Sequence, residues 1–319
     1  MTIALAEIRA AAERIRGRVL RTPVRRSEWL SAISGAAVHL KLEVVQPTSS
    51  YKIRGAFNAA LRVREGAGAT ASPRLVTASA GNHGRAMAHA ARALGLPLTV
   101  FIPANAPRAK VDAIRAAGAE LGECRDYDEA ERQAKAHAAA GDGLFVSPYS
   151  HPDVVAGAGT IALELLEDLP SIDSVIVPVG GGGLIGGVGI ALKALSPSTR
   201  LVGVEVAASC PFTASLAAGR LVTIDVGPSL ADGLTGNLDP DTITLDLVRD
   251  VVDEIVVVDE PVLRRALAGV VTHEHLVAEG AAAAGPAALL DGQIELKGNV
   301  AIILTGANID RERLIDVLS

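Results

Sequence analysis

Cysteine is almost missing from this chain. Cys124 and Cys210 are the two thiols in 319 residues. They are too few for a disulfide framework and lack the spacing of a zinc site, so a reducing compartment, the cytoplasm, is expected. Aromatic residues make up 3% of the chain, against 49% hydrophobic residues and 32 glycines. That balance excludes a coiled coil or a disordered chain and fits an α/β protein. Runs of one charge are lacking as well: the net charge of −6 is spread over interspersed acids and bases. This excludes a basic stripe for nucleic acid and a polybasic patch for a membrane. The N-terminal stretch "MTIALAEIRAAAERIRGRVLRTP" scatters glutamate and arginine through an amphipathic helical pattern, which is not the order of an export signal. One uncharged stretch, "SVIVPVGGGGLIGGVGIAL" from Ser174 to Leu192, imitates a membrane span. Pro178 and the glycines would strand backbone groups in hydrocarbon, so it reads as a buried strand, a loop and a helix.

What is present is an alternation. Short β-branched runs ("RLVTAS", "LTVFIP", "RLVGVEV", "VAIILTGA") take turns with alanine-rich helical stretches ("HGRAMAHAARALG", "APRAKVDAIRAAGA", "DEAERQAKAHAAAG"). That rhythm predicts a mostly parallel sheet with helices on both faces and ligands beyond the carboxyl ends of strands. The alanine richness itself reads as a compositional bias.

Three strand-end loops are chemically unusual. In "TASAGNHGRAMA", residues Ser79, Ala80, Gly81, Asn82 and His83 stand between a strand and a helix, where free N–H groups favour a carboxylate. A plain helix cap by Ser79 or Asn82 is the alternative. In "VPVGGGGLIGG", Gly180, Gly181, Gly182 and Gly183 follow a strand and let consecutive N–H groups converge on a phosphate. They do not match a dinucleotide fingerprint or a P-loop, though a tight turn would need glycine too. In "AIILTGANID", Thr305 ends an apolar strand, with a hydroxyl able to meet a ring nitrogen or to cap a helix.

Lys52, in "PTSSYKIRGAFNAALRV", opens an apolar helix. An apolar site lowers an ammonium pKa and leaves a neutral amine able to form a Schiff base. A lysine for an imine, a glycine cup for a phosphate, an amide for a phenolic oxygen and a hydroxyl for a pyridine nitrogen are together the parts that hold pyridoxal 5'-phosphate.

The set "SSYKIRGA", "SAGNHG", "GGGGL" and "LTGAN", in that order, resembles the fold-type-II pyridoxal-phosphate enzymes, in particular the threonine/serine dehydratase and serine racemase branch. The resemblance runs from "RTPV" to the C-terminus and takes in "LADGL" and "VAEGAAAAG". It implies a two-lobed α/β fold like that of the tryptophan synthase β-chain, with mostly parallel twisted sheets flanked by helices. Residues 73–150 would form a small lobe inserted into a large cofactor-binding lobe of residues 1–72 and 151–319.

By the same resemblance Lys52 is the Schiff-base lysine, and Tyr51 takes the place of a phenylalanine. Asn82 faces the ring hydroxyl, and Ser79, Ala80, Gly81, Asn82 and His83 receive the substrate. Gly180 to Gly183 with Leu184 form the phosphate cup; Glu279 lies near the ring and Thr305 against the pyridine nitrogen. The implied reaction is dehydration and deamination of a β-hydroxy amino acid such as L-threonine or L-serine to a 2-oxo acid and ammonia, in a dimer or tetramer. Alternatives are another hydroxy amino acid (3-hydroxyaspartate, phenylserine, a compatible-solute breakdown intermediate), a racemase, or a silent pyridoxal-phosphate-binding protein.

Departures from the family pattern narrow this. Ala80 stands where racemases place a serine as second base. Little chain follows "TGANID", as in a short threonine dehydratase lacking a regulatory domain. Glu205 matches one carboxylate of a cation site, but Pro211 fills the second acidic position, and "THEHL" splays its histidines, so no metal is expected.

Overall fold

The computed structural model describes residues 3–67 and 72–319. The β-branched runs pair because their backbone groups must be satisfied once their side chains are buried. The strands are β1 Val24–Arg26, β2 Ala37–Leu42, β3 Leu75–Ala78, β4 Leu98–Pro103, β5 Glu120–Cys124, β6 Leu144–Phe145, β7 Ser174–Pro178, β8 Arg200–Val206, β9 Glu254–Val258 and β10 Asn299–Leu304. Among the described residues they make two sheets, ordered β1-β2-β10-β7-β8-β9 and β5-β4-β3-β6. Every pairing is parallel except that of β1 with β2.

The chain packs as two compact units. One comprises Met1–Leu20 and Lys52–Ala158, the other Arg21–Tyr51 and Gly159–Ser319.

In the unit that carries the six-stranded sheet, the helix Gly280–Leu290 is buried along nearly its whole length and contacts β10, β7, β8 and β9. Its small residues are what allow this. A Cβ on Gly285 would lie 2.5 Å from Ile302 Cγ2, and one on Gly280 would lie 2.1 Å from the Leu230 carbonyl oxygen. The two glycines therefore let the helix approach its neighbours closely, and the alanines between them are buried.

In the other unit, the helix Lys52–Ala67 buries Ile53, Ala56, Phe57, Ala59 and Ala60 in a core shared with Met87, Val100 and Ile114. Its first turn lies against the start of the helix Pro152–Asp168. A Cβ on Gly157 would lie 2.6 Å from Gly55 Cα, and one on Gly55 would lie 2.8 Å from the Val154 carbonyl oxygen. Two glycines thus bring two backbones into contact beneath Lys52. The segment that imitated a membrane span is β7, a glycine loop and the helix Gly183–Leu195. Among the described residues no helix is long and apolar enough to cross a membrane.

Candidate cofactor and active site

Lys52 is the first residue of its helix, and its side chain is half-buried. Its Nζ donates to the Pro148 carbonyl oxygen at 2.8 Å. Pro148 belongs to the chain leaving β6, which pairs with β3. Loops from adjacent parallel strands emerge side by side, so the loop after β3, residues 79–83, neighbours the one after β6. A helix Asn82–Leu94 follows β3 directly. Its cap residue is Gly81, and no side chain caps it. Ser79 Oγ instead accepts the Gly81 N–H at 3.2 Å, a local turn. Capping by Ser79 or Asn82 therefore does not explain this motif, and the first-turn N–H groups keep no intrahelical acceptor. The loop is also closed to side chains at one point, since a Cβ on Gly84 would lie 2.0 Å from the Ser79 carbonyl oxygen.

His83 behaves differently from its neighbours. It is 2% exposed, and neither ring nitrogen has a hydrogen-bond partner. Burial, and next the positive charge of Lys52, push its pKa down to about 3; the Val146 carbonyl pulls weakly the other way. The imidazole is neutral and interior, so only its backbone N–H is left for an anion at the helix start.

In the other unit, the glycine loop ends at Gly182, which caps the helix Gly183–Leu195 at φ 82° and ψ −9°. That left-handed conformation favours glycine. Space demands it as well, because a Cβ there would lie 2.4 Å from Phe212 Cζ; on Gly180 it would lie 3.0 Å from Leu234 Cα. Gly183 and Leu184 give the first turn of this helix, whose N–H groups and dipole favour an anion.

Thr305 ends β10. It is 4% exposed, and its Oγ1 has no hydrogen-bond partner. An unpaired buried hydroxyl is uncommon and costs roughly 1–3 kcal/mol, which a ligand atom would recover. The Thr305 carbonyl accepts the Tyr51 N–H at 3.0 Å, and Ser50 forms an isolated bridge with Gly306. Ser49 is left-handed at φ 55°, and its carbonyl accepts the Ala307 N–H. Glu279, 6% exposed, precedes the helix Gly280–Leu290 and takes the Gly306 carbonyl on its own N–H at 3.0 Å. A Cβ on Gly306 would meet Glu279 Oε1 at 2.5 Å. Burial, and then the Glu279 charge, raise the pKa of the Tyr51 phenol, so it stays neutral.

This unit therefore assembles Tyr51, Glu279 and Thr305, together with the glycine loop on a neighbouring strand, since β10 pairs with β7. The other unit assembles Lys52 with the loop Ser79, Ala80, Gly81, Asn82 and His83. The glycine cradle that a Cβ would fill and the partnerless Thr305 hydroxyl suit the phosphate and ring nitrogen of pyridoxal phosphate. Sequence reasoning passed over Lys41, which is fully buried and donates to Glu164 Oε2 at 2.6 Å and to the Thr22 carbonyl at 2.7 Å. It also passed over Thr48, whose Oγ1 is buried without a partner.

The metal candidates have other occupations. Glu205 accepts the N–H groups of Phe212 and Thr213 and the Thr213 hydroxyl at 2.6–2.9 Å, which makes it the cap of the helix Pro211–Ala218. Burial raises its pKa. In "THEHL", Glu274 is buried and takes Arg25 and Ser27, while His273 stacks on Trp29 at 4.9 Å.

Comparison with known proteins gives the family. A profile for the family described as "Pyridoxal-phosphate dependent enzyme" matches residues 15–306. An L-threonine ammonia-lyase from Thermotoga maritima is 39% identical over 310 residues, covering 97% of this chain and 76% of that protein. A beta-hydroxyaspartate dehydratase from Paracoccus denitrificans is 35% identical over 308 residues, 96% of each. The structure of maize serine racemase superposes with a TM-score of 0.92 at 32% identity, covering 99% of this chain and 97% of that one.

Proposed function

Because the chain belongs to the pyridoxal-phosphate dependent enzymes, we propose that it is an ammonia-lyase converting a β-hydroxy amino acid, L-threonine or L-serine, to a 2-oxo acid and ammonia. When bound, pyridoxal phosphate withdraws electrons from the substrate and acidifies its Cα–H. Lys52 Nζ would hold the cofactor and is the amine that takes that proton. The Pro148 carbonyl, at 2.8 Å, orients Nζ and stabilises it when it is charged. The first-turn N–H groups of the helix Asn82–Leu94 bind the substrate carboxylate, and Asn82 turns its amide to the cofactor's ring oxygen. Gly180 to Gly183 and Leu184 cradle the phosphate.

The observation that carries the reaction type is the Thr305 hydroxyl, buried and without a partner. A hydroxyl meets the ring nitrogen without fixing a proton on it as a carboxylate would. That favours elimination over transamination. Ala80 has no proton to give, so racemisation lacks a second base. The neutral Tyr51 and the carboxylate of Glu279 line the same side as Thr305. Two free thiols, Cys124 and Cys210, are in keeping with a cytoplasmic location, and the kinship is in keeping with a dimer or tetramer.

The experiment is release of 2-oxo acid and ammonia from L- and D-serine, L-threonine, 3-hydroxyaspartate and phenylserine, with Lys52→Ala as control. Turnover of threonine or serine that vanishes in the control is the expected result. A preference for 3-hydroxyaspartate, which the Paracoccus relative makes the second reading, would move the substrate and keep the chemistry. No turnover of any of them would overturn the proposal.

A further inference from the structure

The stretch "LADGL", residues 230–234, has no task in the reaction as described, yet its backbone lies directly on the glycine loop. A Cβ on Gly180 would lie 3.0 Å from Leu234 Cα, 3.2 Å from the Gly233 carbonyl oxygen and 3.4 Å from that of Leu234. The 3₁₀ turn Asp232–Leu234 is therefore a wall against which the first glycine of the loop rests. One such turn is a weak element by itself, so its place depends on what ties it down.

The ties are polar and come from elsewhere in the same unit. Glu260 opens the helix Glu260–Glu274. One of its carboxylate oxygens accepts the Leu230 N–H at 2.5 Å and the other the Ser229 hydroxyl at 2.7 Å. Ser229 Oγ in turn accepts the Ala231 N–H at 3.0 Å. At the far end the fully buried Ser209 accepts the Gly236 N–H at 3.1 Å and donates to the Gly236 carbonyl at 3.3 Å. Ala231 and Leu234 are buried between these two clamps. The Leu230 carbonyl oxygen fits against Gly280, where a Cβ would lie 2.1 Å from it, so the stretch has little room to shift on that side.

We propose that Glu260 is a positioning residue for the cofactor's phosphate: by holding Ser229 and Leu230 it fixes where Gly233 and Leu234 press on Gly180, and so sets the shape in which Gly180 to Gly183 present their N–H groups. The inference rests on the reading that this loop holds the phosphate. A carboxylate suits the position because it accepts two donors at once, and hydrogen bonds to an ionised acceptor are the stronger kind. The ion pair of Arg313 with Asp232 at 3.2 Å is, by contrast, exposed on both partners and adds little. A cup already held in its binding shape loses less freedom when the anion arrives. One whose wall has come loose must be ordered by the anion itself, and binds it more weakly.

Two readouts test this without turnover: titration of the full chain with pyridoxal phosphate and with pyridoxal, which lacks the phosphate, and the ³¹P resonance of the bound cofactor. Binding to Lys52→Ala is subtracted in both titrations. Glu260→Leu removes both bonds and is expected to weaken pyridoxal phosphate roughly 10-fold, to shift the ³¹P resonance and to leave pyridoxal as in wild type. Glu260→Gln keeps an oxygen for the Leu230 N–H and offers its NH₂ to Ser229 Oγ, so it is expected to restore most of the affinity and the wild-type resonance. If the leucine variant folds poorly, Ser209→Ala, which loosens the other end, is expected to weaken pyridoxal phosphate in the same selective way. Arg313→Met is expected to change neither readout. Equal weakening of pyridoxal and pyridoxal phosphate, or a ³¹P resonance unmoved in Glu260→Leu and Ser209→Ala, would overturn the proposal. If the wild type took up no pyridoxal phosphate, the cofactor reading would fall and this inference with it, and the wild-type titration alone tells the two failures apart.

Discussion

The main-chain N–H of Tyr51 donates to the carbonyl of Thr305 at 3.0 Å. The residue before Lys52 is thus held on Thr305, whose hydroxyl is unsatisfied, and the adjoining bridge of Ser50 with Gly306 keeps the two segments antiparallel. Residues far apart in sequence are set in register mainly by backbone contacts, with the Asn308 side chain donating to the Thr48 carbonyl. Their side chains are therefore free to be chosen for chemistry.

Thr305→Val tests that freedom. The hydroxyl makes no contact to lose, so unfolding of the cofactor-free protein by urea is expected to change by less than about 1 kcal/mol, or to improve. Pyridoxal phosphate, titrated by its absorbance, is expected to bind more weakly. Equal loss in both measurements would show that the hydroxyl supports the fold.

Gly182→Ala should act the other way round. The methyl group must enter a left-handed backbone position and lie 2.4 Å from Phe212 Cζ, which predicts a loss of roughly 1–3 kcal/mol in stability together with weakened phosphate binding. Adding Phe212→Leu is expected to relieve the contact and recover part of the stability, leaving the backbone strain. Full stability in the single variant would mean that the loop has another conformation of similar energy.

How much of this was legible beforehand depends on where each signal lies. Continuous apolar strands such as β7 and β8, and motifs confined to one strand-to-helix turn, could be read because their physics is local. β5, "ELGEC", could not: it is an edge strand with mixed burial and shows neither alternation nor an apolar run. β1 has three residues and exists through its antiparallel pairing with β2. Lys52 could be singled out from its company of motifs, but the burial of His83 could not, since "AGNHG" reads the same whether the imidazole faces a ligand or the core. The approach of Gly55 to Gly157 was hidden for the same reason: each glycine only makes sense against the other.

Lys41 gives a control for Lys52. It is the more deeply buried of the two, and a search for buried amines alone would choose it. Its Nζ, however, is tied to Glu164 and the Thr22 carbonyl, so its role is structural. Lys41→Met is expected to take one partner from Glu164 and to cost roughly 2–4 kcal/mol in stability, while the cofactor's absorbance and its removal by borohydride stay as in wild type. Glu164→Leu in the same chain is expected to return much of that loss. Loss of the absorbance band in Lys41→Met would reassign the cofactor lysine.

The depressed His83 pKa predicts a pH dependence whose sign is fixed. Its folded value is about 3 against an ordinary 6.5, first through burial and then through Lys52. Between those values the unfolded chain binds a proton that the folded chain refuses, so stability rises with pH across the window. The contribution is complete above about pH 6.5 and is lost as pH falls toward about 3, with a total on the order of 4 kcal/mol. Many carboxylates titrate in the same range, so the measured quantity is the difference between wild type and His83→Gln in urea unfolding. Wild type is expected to lose ground against the variant steadily from about pH 7 to about pH 4. A difference that stays flat would mean that the ring accepts its proton inside the fold.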